Sequence, residues 1–138
     1  MPRHLWTILC TNSSIDQATN NISLFSVIEQ VQISQAPTDQ QIVLTTQFHL
    51  VMLWMRSNLD QPEMGTARFS LQFPTGEVLN GAEIQVELST AIRSRTVITI
   101  AGLPLRGPGL YTFISEFRAV DATEFSRVHE LPLQVVFN

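Results

Sequence analysis

A chain of 138 residues, 44% of them hydrophobic, is the size of one ordinary domain and carries enough apolar material for a core of its own. Eight basic residues, all arginine, against twelve acidic ones leave a net charge of −4, which argues against broad attraction to nucleic-acid phosphates or anionic lipid surfaces. The single cysteine, Cys10, excludes an internal disulfide and fits a reducing compartment.

The first predicted strand is Leu5–Cys10, with Trp6, Ile8 and Cys10 on one face. Its apolar stretch is too short, and Leu9 too large, for the lipoprotein signal that a cysteine in this place can mark. Thr11-Asn12-Ser13-Ser14 and Asn20-Asn21 then read as a polar loop. In the next strand, Ile22–Ile33, residues Phe25, Val27, Val31 and Ile33 fit one face while Ile28 falls out of step. That mismatch predicts a bulge near Ser26–Glu29, and Pro37 ends the strand. Ile42–Met55 is the longest run, and its second half, Phe48–Met55, is apolar on both faces.

Thr66–Phe73, closed by Pro74-Thr75-Gly76, and Ala82–Leu88 alternate most cleanly, with Phe69, Leu71, Phe73, Ile84, Val86 and Leu88 facing a core. Arg95–Ala101 follows, and Leu103–Gly109 carries the chain as a turn into Leu110–Val120. The last strand, Glu124–Phe137, contains Pro132, which removes a ladder donor and predicts an edge position or a bulge. No run approaches the roughly 18 apolar residues of a membrane span.

About eight short strands between Gly/Pro turns, with almost no helix signal, predict an all-β fold: an antiparallel β-sandwich of Ig-like or Greek-key type filling a single domain, 1–138. Tyr111 stands just after a turn glycine at a strand start, the placement of a tyrosine corner, in which the hydroxyl bonds nearby backbone and the ring packs inward. The stretch Gly107-Pro108-Gly109-Leu110-Tyr111-Thr112-Phe113, the charged hairpin after it and Leu131-Pro132-Leu133-Gln134-Val135 resemble the end of small bacterial β-sandwich domains of unknown function. Thr7–Cys10 with Ser23–Ile28 resembles their beginning. The resemblance implies the fold and brings no catalytic residue or ligand with it.

Chemical motifs are weak. His4, His49, His129 and Cys10 lack metal-ligand spacing, no Gly-x-Ser-x-Gly elbow occurs, and Pro108 removes a donor where a phosphate-cradling loop needs one. The expectation is therefore no enzyme and no cofactor. If strand directions alternate strictly, the loops around Asn12–Asn21, Arg56–Gly65, Thr90–Ser94 and Asp121–Thr123 meet at one end. That rim carries Asp16, Arg56, Asp60, Glu63, Arg93, Asp121 and Glu124, and clustered acids on loops can hold a hard cation. Arg93 and Arg95 with Arg106 could receive an anion, but by the same alternation Arg106 falls at the opposite end.

The stronger clue is the doubly apolar run. His49, Val51, Leu53 and Met55 occupy a face that an open sandwich leaves bare, so either the chain's own loop or first strand covers it or a second protein does. The leading expectation is a cytoplasmic, non-catalytic module acting through protein association as an adaptor, accessory or assembly subunit, with a protein partner or as a homodimer. Nucleic acid, membrane and any identifiable small molecule are not expected partners. The alternative is a ligand- or cation-binding sandwich, even a hydrolytic one, with its site near Asp16, Asp60, Arg93 and Asp121.

Overall fold

The two-residue rhythm becomes nine strands in a computed structural model that describes residues 1–34 and 41–138. They are β1 (Arg3–Ile15), β2 (Ile22–Val27), β3 (Gln30–Ile33), β4 (Gln41–Met55), β5 (Glu63–Gln72), β6 (Val78–Leu88), β7 (Arg93–Arg106), β8 (Gly109–Ala119) and β9 (Ser126–Phe137). One sheet has the order β2-β1-β4-β7 and the other β3-β9-β8-β5-β6, with no helix among the described residues. The all-β sandwich is thus the observed architecture. The expected strand end at Pro37 lies outside the described residues.

Thr11–Ser14, expected as a polar loop, instead extend β1 to Ile15 and pair with β2, and two further departures from the expected strand plan have local causes. The segment Ile22–Ile33 is two strands, not one bulged strand: the chain leaves the first sheet after Val27 and enters the second at Gln30. Ser26 takes a positive φ of 53°, the Ile28 N–H donates to the Leu9 carbonyl at 2.8 Å, and the Ile28 side chain packs against the core. That crossover is why Ile28 breaks the alternation. It also makes β3 parallel to β9, the exception in an otherwise antiparallel fold. The second departure is β7, which runs through Pro104 to Arg106 rather than stopping at Ala101. β7 is an edge strand, where a missing N–H is tolerated, and Gly102 at φ +86° lies where its register with β4 slips between Leu44 and Gln47.

The core lies between the sheets. Leu50, Met52 and Trp54 of β4 face Phe113 and Phe117 of β8, Leu88 of β6 and Leu133 of β9, all fully buried. The Trp54 indole N–H donates to Thr96 Oγ1 at 2.9 Å and the ring sits 5.6 Å from that of Phe117, so its polar tip is satisfied within an apolar setting.

Tyr111 is completely buried; its hydroxyl accepts the Arg106 N–H at 2.6 Å and donates to the Gly107 carbonyl at 2.8 Å. This is the tyrosine-corner geometry, and burial pushes the phenol pKa above its ordinary value. Tyr111→Phe leaves both backbone groups without their partner, and urea unfolding is expected to show a loss of about 1–3 kcal/mol.

Candidate functional site

The face beyond β4 is covered, and the cover comes from the chain itself. Across the first sheet Ile8 pairs with Val51 and Val51 with Val97, yet Val51 has no exposed surface while Val97 is 38% exposed. β1 stops pairing with β4 at Cys10 and continues as a hairpin with β2. That hairpin folds back over the sheet. Ser13 Oγ and His49 Nδ1 share a hydrogen bond of 2.9 Å, and at the tip the Asn20 carbonyl accepts from Arg95 Nη2 at 2.8 Å. The line from His49 to Arg95 crosses Val51 and Leu53, and the half-buried Ile22 and Leu24 are the apolar residues that β2 brings. His49, Leu53 and Met55 are half-buried, and Cys10, next to this junction, is fully buried with its thiol pKa raised by burial. The surface expected to be free for a partner is therefore largely occupied within the chain.

The loops of the expected rim do meet, with different roles than a site requires. Register puts Glu63 opposite Leu88, Gly65 opposite Ala119 and Arg3 opposite Met55, so the β4–β5, β6–β7 and β8–β9 loops share one end with the N-terminus. The Arg56 guanidinium donates to the carbonyls of Leu88 (2.7 Å), Leu59 (2.8 Å) and Ser89 (3.0 Å), which makes it a clamp between two loops. Glu63 is the second tie, bonded by Ser57 and by the terminal ammonium at 3.3 Å. Burial acts to raise its pKa, but the Ser57 bonds and the ammonium outweigh that and hold the carboxyl below its usual value.

Asp16 accepts the Ala18 N–H at 2.9 Å and so shapes its own turn, while Asp60, Asp121 and Glu124 are exposed. Among the described residues no three His, Cys, Asp or Glu side chains converge as a metal site needs. Arg106 lies at the far end, ion-paired with Glu77 and bonded to Gln41 Oε1 at 3.1 Å.

Two concave features arise that the linear pattern did not signal. The first, about 650 Å³, lies between the hairpin tip and the start of β7; Trp6, Leu53 and Ile22 form its apolar lining, with Arg93, Arg95 and Asn20 around them. The second, about 570 Å³, is a groove along the seam where β1 of one sheet meets β9 of the other, lined by Ile8, Val27, Ile28, Leu110, Leu131 and Pro132 among others.

Backbone pairing explains the seam. β2 pairs only from Cys10 onward and β3 only from Gln134 onward, which leaves Arg3–Ile8 of β1 and Ser126–Leu133 of β9 without a paired strand on that side among the described residues. The Leu9 carbonyl and the Gln134 N–H point across it to Ile28 and Glu29, so two residues earlier in each strand Thr7 and Pro132 face the same way. Pro132 presents no donor there, which blunts the β9 edge, and on the β1 side Thr7 is buried, only 5% exposed. At one end His4 of β1 stacks on His129 of β9 with ring centroids 4.6 Å apart, and at the other the β2–β3 crossover closes the groove.

No protein-family model matches the chain, and no curated relative matches it. Among solved structures it is similar to a β-glucosidase from Listeria innocua, with a TM-score of 0.50 and 10% identity over 96% of this chain and 16% of that one. It is also similar to a β-glucosidase from Listeria innocua in complex with glucose, with a TM-score of 0.48 and 11% identity over the same shares. The chain spans only 16% of the length of each of those chains, and the likeness to the first, at 10% identity, speaks for the fold alone.

Proposed function

We propose that the protein is a non-catalytic β-sandwich module that acts by protein association, and that the seam between β1 and β9 is where it associates. The supporting observation is the apolar groove along that seam with two exposed aliphatic side chains beside it. Val27 and Leu110, 52% and 58% exposed, flank the groove with apolar surface that a partner can cover. The partner we assign is a second copy of this chain, because packing seam against seam about a two-fold axis gives each copy the same contacts. Covering those two side chains in each copy contributes about 3 kcal/mol per copy before the cost of association. A cytoplasmic setting belongs to the same reading and is supported by the lone, buried thiol. No helix is long and apolar enough to cross a membrane among the described residues.

Sedimentation velocity over a concentration series tests the assignment. The wild type is expected to form a dimer, and Val27→Glu with Leu110→Glu is expected to give a folded monomer. A wild type that stays monomeric throughout, or a double variant that dimerises equally well, removes the β1 seam as the association surface.

A further inference from the structure

The cleft beneath the hairpin tip carries a charge opposite to that of the whole molecule. Arg93 and Arg95 are two residues apart on the same face of β7, opposite Met55 and Leu53, so their side chains leave the sheet in parallel about 7 Å apart at the backbone. Neither forms an ion pair among the described residues. Arg95 gives Nη2 to the Asn20 carbonyl, which fixes its guanidinium at the rim of the cleft, while its Nε is sealed from solvent with no acceptor among the described residues. The one carboxylate in the lining, Glu87, is already engaged by the Ser89 hydroxyl and N–H, which hold its pKa below the ordinary value.

Beside the guanidinium pair runs an apolar floor. Trp6 pairs across strands with Leu53, and Leu53 with Arg95, so indole, leucine and guanidinium form one row over three strands. Ile22 of the hairpin closes over this row, and the volume of about 650 Å³ is the size of an ordinary small-molecule site. The combination has a chemical meaning. Paired guanidiniums favour a planar oxyanion that takes two N–H donors, and an adjacent indole and leucine favour a flat, apolar body attached to it.

We infer that this cleft is a binding site for a small organic carboxylate with an aromatic or apolar body, the carboxylate on Arg93 and Arg95 and the body over Trp6 and Leu53. The inference is independent of the association seam, which lies along the β1–β9 edge and shares no lining residue with the cleft. Ligand held here bridges the hairpin tip and β7, so it also fastens the element that covers Val51.

The test is a titration of the ¹⁵N-labelled protein with phenylacetate, reading the two indole N–H signals. The Trp6 signal is expected to move saturably while that of Trp54, sealed in the core, stays still. Phenylacetamide, which keeps the ring and loses the charge, and acetate, which keeps the charge and loses the ring, are each expected to bind at least 10-fold more weakly. Arg93→Gln, a change at an exposed side chain, is expected to weaken phenylacetate at least 10-fold with the rest of the spectrum unchanged, and Val27→Glu at the seam to leave the titration as it is. No movement of Trp6, equal movement with phenylacetamide, or full binding by Arg93→Gln overturns the assignment.

Discussion

Val51→Asp is expected to cost at least about 3 kcal/mol of unfolding free energy, whereas Val97→Asp, its neighbour across the β4–β7 ladder, costs less than about 1 kcal/mol. The two positions share a sheet face and a residue type and differ in what lies above them. Val51 is sealed by the hairpin, so an aspartate there loses the burial of an aliphatic side chain and either enters a dry site uncompensated or pushes the hairpin off. Val97, at 38% exposure, leaves its replacement in contact with water. Urea unfolding of both variants measures the difference. Amide signals of Ile22 and Leu24 show whether the hairpin detaches first, since those residues form its underside. Equal stability of the two variants would mean that the hairpin does not shield β4, and the partner-covered face of the original alternatives would return.

The same residues show how far the sequence reaches. Alternation in Arg68–Phe73 and Glu83–Leu88 predicts the sandwich because a half-buried strand can satisfy water and core only by switching sides at every residue, and that constraint is local. Tyr111 was legible for a similar reason, since a turn glycine and the tyrosine after it lie within one short stretch. The rule failed where one signal has two solutions. Ile28 out of step is compatible with a bulge and with a change of sheet, and what separates them is the distant edge of β9 that accepts β3. His49 to Met55 required a cover without saying whose.

The hint lay in Ile22 and Leu24, alternating apolar residues directly after the Asn20-Asn21 turn, which form a hairpin with an oily underside. Its landing place depends on how far β1 bends after Cys10, and no residue pattern encodes that bend by itself. In the sequence Arg93 and Arg95 suggest an anion site only together with Arg106, which lies at the opposite end. Trp6 could join them only once β1 and β7 were known to flank β4.

Acidification supplies the other large effect. His4 sits edge-on to Trp54 at 5.2 Å, against His129, with Nε2 bonded to the Thr7 hydroxyl. Desolvation by this packing, followed by the proximity of His129, lowers the His4 pKa to about 4, from 6.5 for a free histidine, and a backbone hydrogen bond offsets only part of that. Above pH 6.5 the imidazole is neutral in both folded and unfolded chains and contributes no pH dependence. Between pH 6.5 and about 4 the unfolded chain takes up a proton that the folded chain refuses, so stability falls as the pH falls, by up to about 1.4 kcal/mol per pH unit. Partial solvent screening brings the full loss to about 2 kcal/mol, complete once the folded histidine itself protonates. Glu63, whose carboxyl is held below its usual pKa, loses its own contribution in the acid part of the same window, so the wild-type curve alone does not isolate the imidazole. His4→Phe does, because it keeps a ring against Trp54 and removes the proton site. Urea unfolding at pH 7.5 and pH 4.5 is expected to show the wild type losing about 2 kcal/mol more than the variant, and parallel losses would mean that His4 titrates in the folded chain as it does in the unfolded one.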